Sequence, residues 1–268
     1  MATLAEPVSR PTDSPIVKAI DRWIYVFMAV SFIVITLTGF IPDSMMKLAA
    51  VKAGERPPFP LVLHFHAVLM GSFLLLLLAQ AWLMATGRRA QHFKLGMAAM
   101  VLAPAIVIVG FILVPTIYHQ VWYGAQSASP PAREQLQALV IRLDNIMLLQ
   151  FRIGILFPTF LAIGLWARKH DTGLHKRMMI LAVAMAMPAA FDRIAWLPNS
   201  FPASPMSPDA YTLAVIAPMF LWDLYRGGRV HKAYWIWIGV NIPFAILVHS
   251  LWGTPWWYAT APRLMGVG

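Results

Sequence analysis

The stretch that decides the fold is Leu61–Ala85, LVLHFHAVLMGSFLLLLLAQAWLMA, which contains no lysine, arginine, aspartate or glutamate. A helix that crosses a bilayer needs about 20 mostly apolar residues. The stretch is therefore predicted to be a transmembrane helix. Its most polar side chains, His64, His66 and Gln80, are costly to place in hydrocarbon, which makes them candidates for a functional role.

The composition of the whole chain agrees with this prediction. The 268 residues are 59% hydrophobic and only 12% charged, and the mean hydropathy is +0.66. A soluble domain carries roughly 25% charged residues, so we expect an integral membrane protein. The chain has no cysteine, which excludes a disulfide scaffold, a cysteine nucleophile, thiolate-bound zinc and iron–sulfur clusters.

Seven apolar segments are long enough to be spans, and they predict one all-α transmembrane domain, 1–268, built as a seven-helix bundle. The predicted spans are Trp23–Ile41, Leu61–Ala85, Leu95–Tyr118, Asn145–Ala167, Met178–Leu197, Ala210–Tyr225 and Ala233–Trp252. An N-terminal segment (1–22) and an outer tail (253–268) flank the bundle. In the outer connections, a loop is expected from Pro42 onward, and the helical spacing within Arg133–Arg142 indicates a helix on the membrane surface. Pro188 is expected to kink the fifth span.

The lysines and arginines predict the orientation of the bundle. With the N-terminus inside, the inner segments hold 13 of the 21 basic residues, the outer segments hold 6, and two lie within spans. The inner ones are Arg10, Lys18, Arg22, Arg88, Arg89, Lys94, Arg168, Lys169, Lys176, Arg177, Arg226, Arg229 and Lys232. The outer ones are Lys47, Lys52, Arg56, Arg133, Arg142 and Arg263. This bias follows the positive-inside rule and predicts the N-terminus inside and the C-terminus outside.

The net charge of +10 is then a topology signal, so the expected partners are the bilayer and other membrane-protein subunits, not nucleic acid.

Polar side chains within the predicted spans concentrate in the outer half of the bundle. They are His64, His66, Asn145, Gln150, Arg152, Asp192, Arg193, Asn241 and His249. One interpretation is a structural network that satisfies its own charges, in which Arg152 pairs with Asp192. Arg193 would then pair with Asp144. The other interpretation is an outward-facing pocket for a ligand, a cofactor or a metal ion. It would be lined by His66, Arg152, Asp192, Arg193 and His249.

The histidines make haem b the leading cofactor hypothesis, because neutral imidazole is a good axial ligand of haem iron. His66 and His249 are the first choice of ligands, with His64 beside them. A protein without any cofactor is nearly as well supported by the sequence. For a bare metal ion, the candidates are His66, His249 and Asp192. The inner histidines lie among arginines and lysines in predicted loops, where a solvated imidazole needs no ligand. They are His92, His170, His175 and His231.

Three stretches of the chain form a recognisable pattern. They are Asp21–Phe27 (DRWIYVF) with Gly39-Phe40; His64-x-His66-Ala67 followed by Gln80, Gly87-Arg88, His92 and Gly96; and His175–Met179 (HKRMM) followed by Ala189-Ala190 and Arg193. The pattern resembles a widespread group of bacterial polytopic membrane proteins of unknown function. That resemblance implies a location in the bacterial inner membrane and assigns no activity. A looser similarity, in histidines near helix ends followed by basic residues, is to membrane b-type cytochromes and haem-handling proteins. The chain differs from those families in showing no evident pair of histidines at matched depth on two adjacent helices.

Three functional hypotheses follow from these features. The first is a haem-binding or redox membrane protein, in which Arg152 and Arg193 would bind a haem propionate by charge-assisted hydrogen bonds. The second is a non-catalytic accessory or assembly subunit of a larger membrane complex. The third is a small-molecule transporter, in which the buried arginines and aspartates bind the solute or relay protons. Whether the protein is an enzyme is left open by the sequence.

Overall fold

The computed structural model describes residues 14–267, and this part of the chain folds into nine helices. They are α1 Pro15–Lys52, α2 Leu61–Ala85, α3 Arg89–Ser127, α4 Pro130–Ala167, α5 Thr172–Ala184, α6 Pro188–Phe191, α7 Met206–Gly227, α8 Lys232–Leu251 and α9 Pro255–Leu264. No strand occurs within residues 14–267, so the predicted all-α class is confirmed for them. Residues 1–13 of the predicted N-terminal segment lie outside the described residues.

Six helical segments are long and apolar enough to cross a membrane: α1, α2, α3, α4, the segment Thr172–Phe191 that contains α5 and α6, and α8. The outward faces of these helices carry large apolar side chains, and Phe65, Leu75 and Ile108 are each more than half exposed. An extended apolar surface of this kind suits contact with lipid. These features fit a multi-pass membrane protein. The predicted span Ala210–Tyr225 lies within α7, which is not among the six.

The longest helices extend well beyond the predicted spans. Helix α1 continues through Pro42 to Lys52, where a loop was expected. Helix α4 begins at Pro130 and runs unbroken through 38 residues. The prediction of a separate surface helix at Arg133–Arg142 is therefore wrong, because no helix-breaking residue separates that stretch from the span. A helix of this length measures about 57 Å at 1.5 Å per residue, so its ends project beyond a hydrocarbon core of about 30 Å.

The segment containing α5 and α6 forms the centre of the bundle. It packs against α1, α4, α7 and α8, and 67% of its apolar stretch is buried, against 17–44% in the other five candidate spans. Helix α5 ends at Ala184 and α6 begins at Pro188, so the kink expected at Pro188 is a full break. Tight turns connect the two helices, and the amide of Met185 donates to the carbonyl of Ala182 at 3.2 Å. Pro188 has no amide hydrogen with which to continue α5.

A glycine lets the broken central segment approach α1. A Cβ atom built on Gly39 would overlap the main-chain oxygen of Ala190 in α6. Arg193 follows α6, and its side chain extends toward α1. There its guanidinium carbon lies 4.5 Å from the ring centre of Phe40. The contact between α1 and α6 therefore depends on the absence of a side chain at position 39.

We expect Gly39→Ala to lower the free energy of unfolding by about 1–3 kcal/mol, because the new methyl group must push α6 away from α1. Gly71→Ala is the matched control in α2, where nothing lies within 4 Å of the added Cβ, and alanine is the better helix former. The measurement is denaturant or thermal unfolding of both variants in the same detergent. Equal stability of the two variants would contradict the close approach.

Candidate functional site

The two ends of the bundle are called outer and inner after their predicted orientation. The outer half of the bundle holds a buried ionic network centred on Arg152 of α4. Its guanidinium donates from Nε and Nη2 to Oδ1 of Asn241 at 3.1 and 2.9 Å, and from Nη1 to Oδ1 of Asp209 at 2.8 Å. The other carboxylate oxygen of Asp209 lies 3.1 Å from Nε2 of His249. Arg152 and Asn241 are only 5% and 7% exposed. The network therefore joins α4, α7 and α8 inside the bundle.

Arg152 has a different partner from the predicted one, which was Asp192. The prediction failed because Asp209 was assigned to the loop before the sixth span. Helix α7 begins at Met206, so Asp209 lies in its first turn, where the positive end of the helix dipole favours a carboxylate. The sequence did contain a signal for this earlier start, since Pro208 and Asp209 are residue types that favour the first turn of a helix.

Asp192 and Arg193 belong to two other ion pairs. Both carboxylate oxygens of Asp192 lie 3.4 Å from Nη2 of Arg142 in α4. Nε of Arg193 lies 3.4 Å from a carboxylate oxygen of Asp43 in α1. These contacts attach the segment after α6 to α4 on one side and to α1 on the other.

The predicted outer tail contains helix α9, which packs against α4. The indole of Trp257 donates to the main-chain oxygen of Asp144 at 2.6 Å, and the carboxylate of Asp144 accepts from the hydroxyl of Tyr118 at 2.8 Å. The predicted pairing of Asp144 with Arg193 is therefore wrong. The partner of the Asp144 carboxylate is the phenol of Tyr118 and not the guanidinium of Arg193.

The two histidines of α2 lie apart from the Arg152 network. His66 is directed toward α3, where its Cε1 lies 3.8 Å from a Cβ built on Gly110. Nδ1 of His66 is buried and has no hydrogen-bond partner within residues 14–267. His64 is exposed. Of the predicted site residues, only Arg152 and His249 are connected within residues 14–267, and they share the carboxylate of Asp209 in α7. The other predicted site residues, His64, His66, Asp192 and Arg193, have different neighbours.

An outer cleft of about 320 Å³ opens between α4, the connection from α6 to α7, and α9. Its lining residues are Ala138, Ile141, Arg142, Asn145, Pro202, Ala203 and Tyr258. This set differs entirely from the residues predicted to line an outward-facing pocket. The cleft is built by the outer extension of α4, by the connection from α6 to α7 and by α9. The sequence predicted a helix over Arg133–Arg142 but not its continuity with the span, and it did not predict α9.

The inner half of the bundle holds a second ion pair, which the sequence reasoning missed. Arg177 of α5 donates from Nε to the carboxylate of Asp223 in α7 at 2.6 Å, and the hydroxyl of Tyr234 in α8 donates to the same carboxylate. A cavity of about 80 Å³ lies beside the pair. Because α5 begins at Thr172, Arg177 lies inside the bundle, although it was predicted to mark an inner loop. An aspartate within a predicted span was the available signal.

The inner loops hold the beginnings of α5 and α8 in place. Asp171 accepts from the amide of Leu174 at 2.8 Å and pairs with Lys232 at 2.6 Å. The hydrogen bond from Lys232, and then the amide, lower the pKa of the Asp171 carboxyl to about 2. His231 caps α8 by accepting the amide of Ala233 at Nδ1, 3.1 Å away. Burial lowers the pKa of His231, which keeps the imidazole neutral as its acceptor role requires.

Two inner histidines, His92 of α3 and His175 of α5, lie next to each other. Their ring centres are 6.5 Å apart and their planes are inclined at 82°. Both were predicted to lie in solvated loops. Helix α3 begins at Arg89 and α5 at Thr172, so each histidine lies in the first turn of a helix and is partly buried. The structure thus contains a histidine pair at matched depth that the sequence did not reveal.

Each imidazole of this pair is oriented by a main-chain carbonyl of another helix. Nδ1 of His92 lies 3.3 Å from the carbonyl oxygen of Gln80 in α2, and Nδ1 of His175 lies 2.8 Å from that of Gly164 in α4. A carbonyl oxygen can only accept, so each Nδ1 carries the proton and each Nε2 keeps its lone pair. Metal-binding histidines typically show this arrangement, in which the second ring nitrogen donates to a carbonyl or carboxylate.

The surroundings of the histidine pair contain another polar side chain without a partner. Oε1 and Nε2 of Gln80 are both buried and make no hydrogen bond within residues 14–267. Its Nε2 lies 3.5 Å from a Cβ built on Gly96, which follows His92 by one turn of α3. In the described part of the chain, no group of three or more histidine, aspartate or glutamate side chains could hold a metal ion. A metal ion at this pair would therefore have two protein ligands.

We expect Arg152→Ala to lower the free energy of unfolding by about 1–3 kcal/mol, because Oδ1 of Asn241 would lose both of its buried donors. Arg133→Ala is the matched control, since Arg133 is exposed on the same helix and bonds to the main-chain oxygen of Ala128 at 3.1 Å. Unfolding in detergent, followed by circular dichroism, compares the two variants. If Arg152→Ala is as stable as the control, the network contributes nothing to stability.

Comparisons with protein-family models, with curated proteins and with solved structures found no match to this chain. The resemblance of the three sequence stretches to a bacterial membrane-protein family therefore stays a prediction. Function has to be inferred from the side chains, and two arrangements stand out by their chemistry. The outer Arg152 network satisfies its own charges, whereas the two Nε2 atoms of the inner histidine pair have no hydrogen-bond partner within residues 14–267.

Proposed function

We propose that this protein is a seven-span protein of the bacterial inner membrane, which binds haem b between His92 and His175 and acts in electron transfer or haem handling. The observation that carries the proposal is the neighbouring pair of imidazoles. Each donates from Nδ1 to a main-chain carbonyl, and neither Nε2 has a hydrogen-bond partner within residues 14–267. When bound, haem supplies a one-electron carrier.

The length of α7 supports the seven-span topology. With 22 residues, α7 measures about 33 Å at 1.5 Å per residue, enough to cross a hydrocarbon core of about 30 Å. Counting α7 as a span puts the two ends of the chain on opposite sides of the membrane. The connections α2–α3, α4–α5 and α7–α8 then lie inside, where their basic residues follow the positive-inside rule.

The two rings lie close enough together that both imidazoles would hold one metal ion. An imidazole nitrogen binds a metal ion at about 2.0 Å, so two imidazoles that hold one ion between them would have ring centres roughly 6 Å apart. The observed separation between His92 and His175 is 6.5 Å. Their anchoring carbonyls come from α2 and α4, so the four helices α2, α3, α4 and α5 all contribute to the site.

Two imidazoles without a third protein ligand suit haem better than a bare ion. Haem iron brings its porphyrin nitrogens and takes only axial ligands from the protein, whereas zinc sites typically have three or four protein ligands. The buried, unbonded amide of Gln80 and the small residue Gly96 border the same region. The amide of Gln80 would supply hydrogen-bonding capacity to a bound group.

Cations flank the pair at the inner end of the bundle, where haem propionates would reach the aqueous interface. Arg89 begins α3 three residues before His92, and Arg168 follows the end of α4 four residues after Gly164, whose carbonyl orients His175. Guanidinium groups bind carboxylates by charge-assisted hydrogen bonds. Arg89 and Arg168 are thus the candidate partners of the propionates.

The outer residues that the sequence favoured fit this function less well. His249 lies beside Asp209, whereas His66 faces α3, so nothing in their contacts suggests a common ligand. Each guanidinium nitrogen of Arg152 already donates to Asn241 or Asp209, which favours a structural role over solute transport. An accessory role in a larger membrane complex stays an alternative from the sequence.

The test is the absorption spectrum of the full-length protein, purified in detergent from cells supplied with a haem precursor. We expect a Soret band in the wild type that is lost in His92→Ala and in His175→Ala, because each variant removes one of the two imidazoles that would hold the haem iron. His170→Ala is the matched control, since this inner histidine is exposed in the turn after α4 and bonds to the carbonyl of Trp166 at 3.1 Å. His175→Met should retain haem with a raised reduction potential, because thioether ligation has that effect.

A wild-type protein that stays colourless after reconstitution with haem would contradict the proposal. So would loss of the band in His66→Ala or His249→Ala together with its retention in His92→Ala and His175→Ala. Circular dichroism and size-exclusion chromatography of each variant separate loss of haem from loss of fold. A colourless protein with bound copper by elemental analysis would also overturn the assignment to haem.

A further inference from the structure

The outer cleft is distinct from the histidine pair and has its own chemistry. On one side, α4 contributes Ala138, Ile141, Arg142 and Asn145. These positions have the spacing of one face of a helix. On the other side lie the connection from α6 to α7 and helix α9. The volume of about 320 Å³ is at the lower end of the range for small-molecule sites.

The walls of the cleft are mostly apolar, and the wall opposite α4 is packed against Trp252 at the end of α8. Pro202 and Ala203 form the wall opposite α4. The indole of Trp252 donates to the main-chain oxygen of Pro202 at 2.9 Å, and its ring lies edge-on to Phe201 with centres 5.2 Å apart. The apolar wall is thus fixed to the end of α8.

Arg142 supplies a positive charge that is only weakly paired with a carboxylate of the protein. Its side chain is 47% exposed, and its contact with Asp192 is a single nitrogen at 3.4 Å from both oxygens. A strong guanidinium–carboxylate pair is bidentate and shorter. Asp192 does not line the cleft, and none of the lining residues is acidic.

Tyr258 supplies a second donor. Its hydroxyl accepts from Nδ2 of Asn145 at 3.1 Å, and Oδ1 of Asn145 in turn accepts from the amide of Gly253 at 2.9 Å. The amide of Asn145 is thus held at both ends, and the hydroxyl hydrogen of Tyr258 is free to donate to a ligand. Two donors, one of them charged, therefore border an apolar cleft.

We propose that the outer cleft binds a carboxylic acid with a short apolar chain, taken from the outer aqueous side. Arg142 and Tyr258 bind the carboxylate, and the chain lies against Ile141, Ala138 and the Pro202 wall. The site lies on the part of α4 before the predicted span Asn145–Ala167, which places it beside the water and not within the hydrocarbon. It is a second site, independent of haem.

The test is isothermal titration of octanoate into the full-length protein in lipid nanodiscs. We expect saturable binding that weakens at least tenfold in Arg142→Gln, which keeps a hydrogen bond to Asp192 but removes the charge. Arg133→Ala, on the same helix outside the cleft, should bind like the wild type. Ala138→Phe, which fills the cleft without altering Arg142, should abolish binding.

Octanol provides the control for the head group. If octanol binds as tightly as octanoate, or if Arg142→Gln binds octanoate like the wild type, the proposal is overturned. Competition by an anionic phospholipid in the nanodisc would also overturn the assignment to a free acid. His175→Ala should bind octanoate unchanged, so failure of the haem proposal and failure of this one can be told apart.

Discussion

Two ion pairs at opposite ends of α7 hold the bundle together. Asp209, near the outer end, binds Arg152 of α4, and Asp223, near the inner end, binds Arg177 of α5. Helix α7 is not among the six most apolar segments, and buried charges in a membrane protein are tolerated when they pair with each other inside the bundle. The pairs therefore fix the outer end of α7 against α4 and its inner end against α5, and the same groups bind Asn241 and Tyr234 of α8.

The contrast between the outer and inner polar groups is what points to function. In the outer network, Arg152 finds acceptors for all three guanidinium nitrogens, and such a group contributes register and stability without chemistry. At the inner end, His92 and His175 are anchored through one nitrogen each, and the other is left available. Oε1 and Nε2 of Gln80, the residue whose carbonyl orients His92, are buried without a hydrogen-bond partner within residues 14–267, and burying polar atoms without partners is costly.

Much of the helical framework could be predicted, because apolar length and helix-breaking residues are local properties. The predicted spans lie on helices within residues 14–267, except that the fifth crosses the break between α5 and α6 and runs past α6, and the seventh ends one residue beyond α8. A proline alone does not decide where a helix breaks, since α1 continues through Pro42. Helix ends were less predictable. Arg177, His92 and His175 were assigned to loops because the polar first turns of α3 and α5 resemble loops in composition, although they continue helices that pack inside the bundle.

The sequence by itself determined an all-helical chain rich in membrane-length segments, because the need to satisfy the backbone in hydrocarbon leaves few alternatives to apolar helices. It also identified Arg152 and His249 as costly groups that need partners. Only the tertiary structure decided which partners they have. Asp209 reaches Arg152 because α7 and α8 pack beside α4, and His92 reaches His175 because α3 and α5 both begin at the inner end. Contacts of this kind join residues more than 50 positions apart, and no local pattern records such distances.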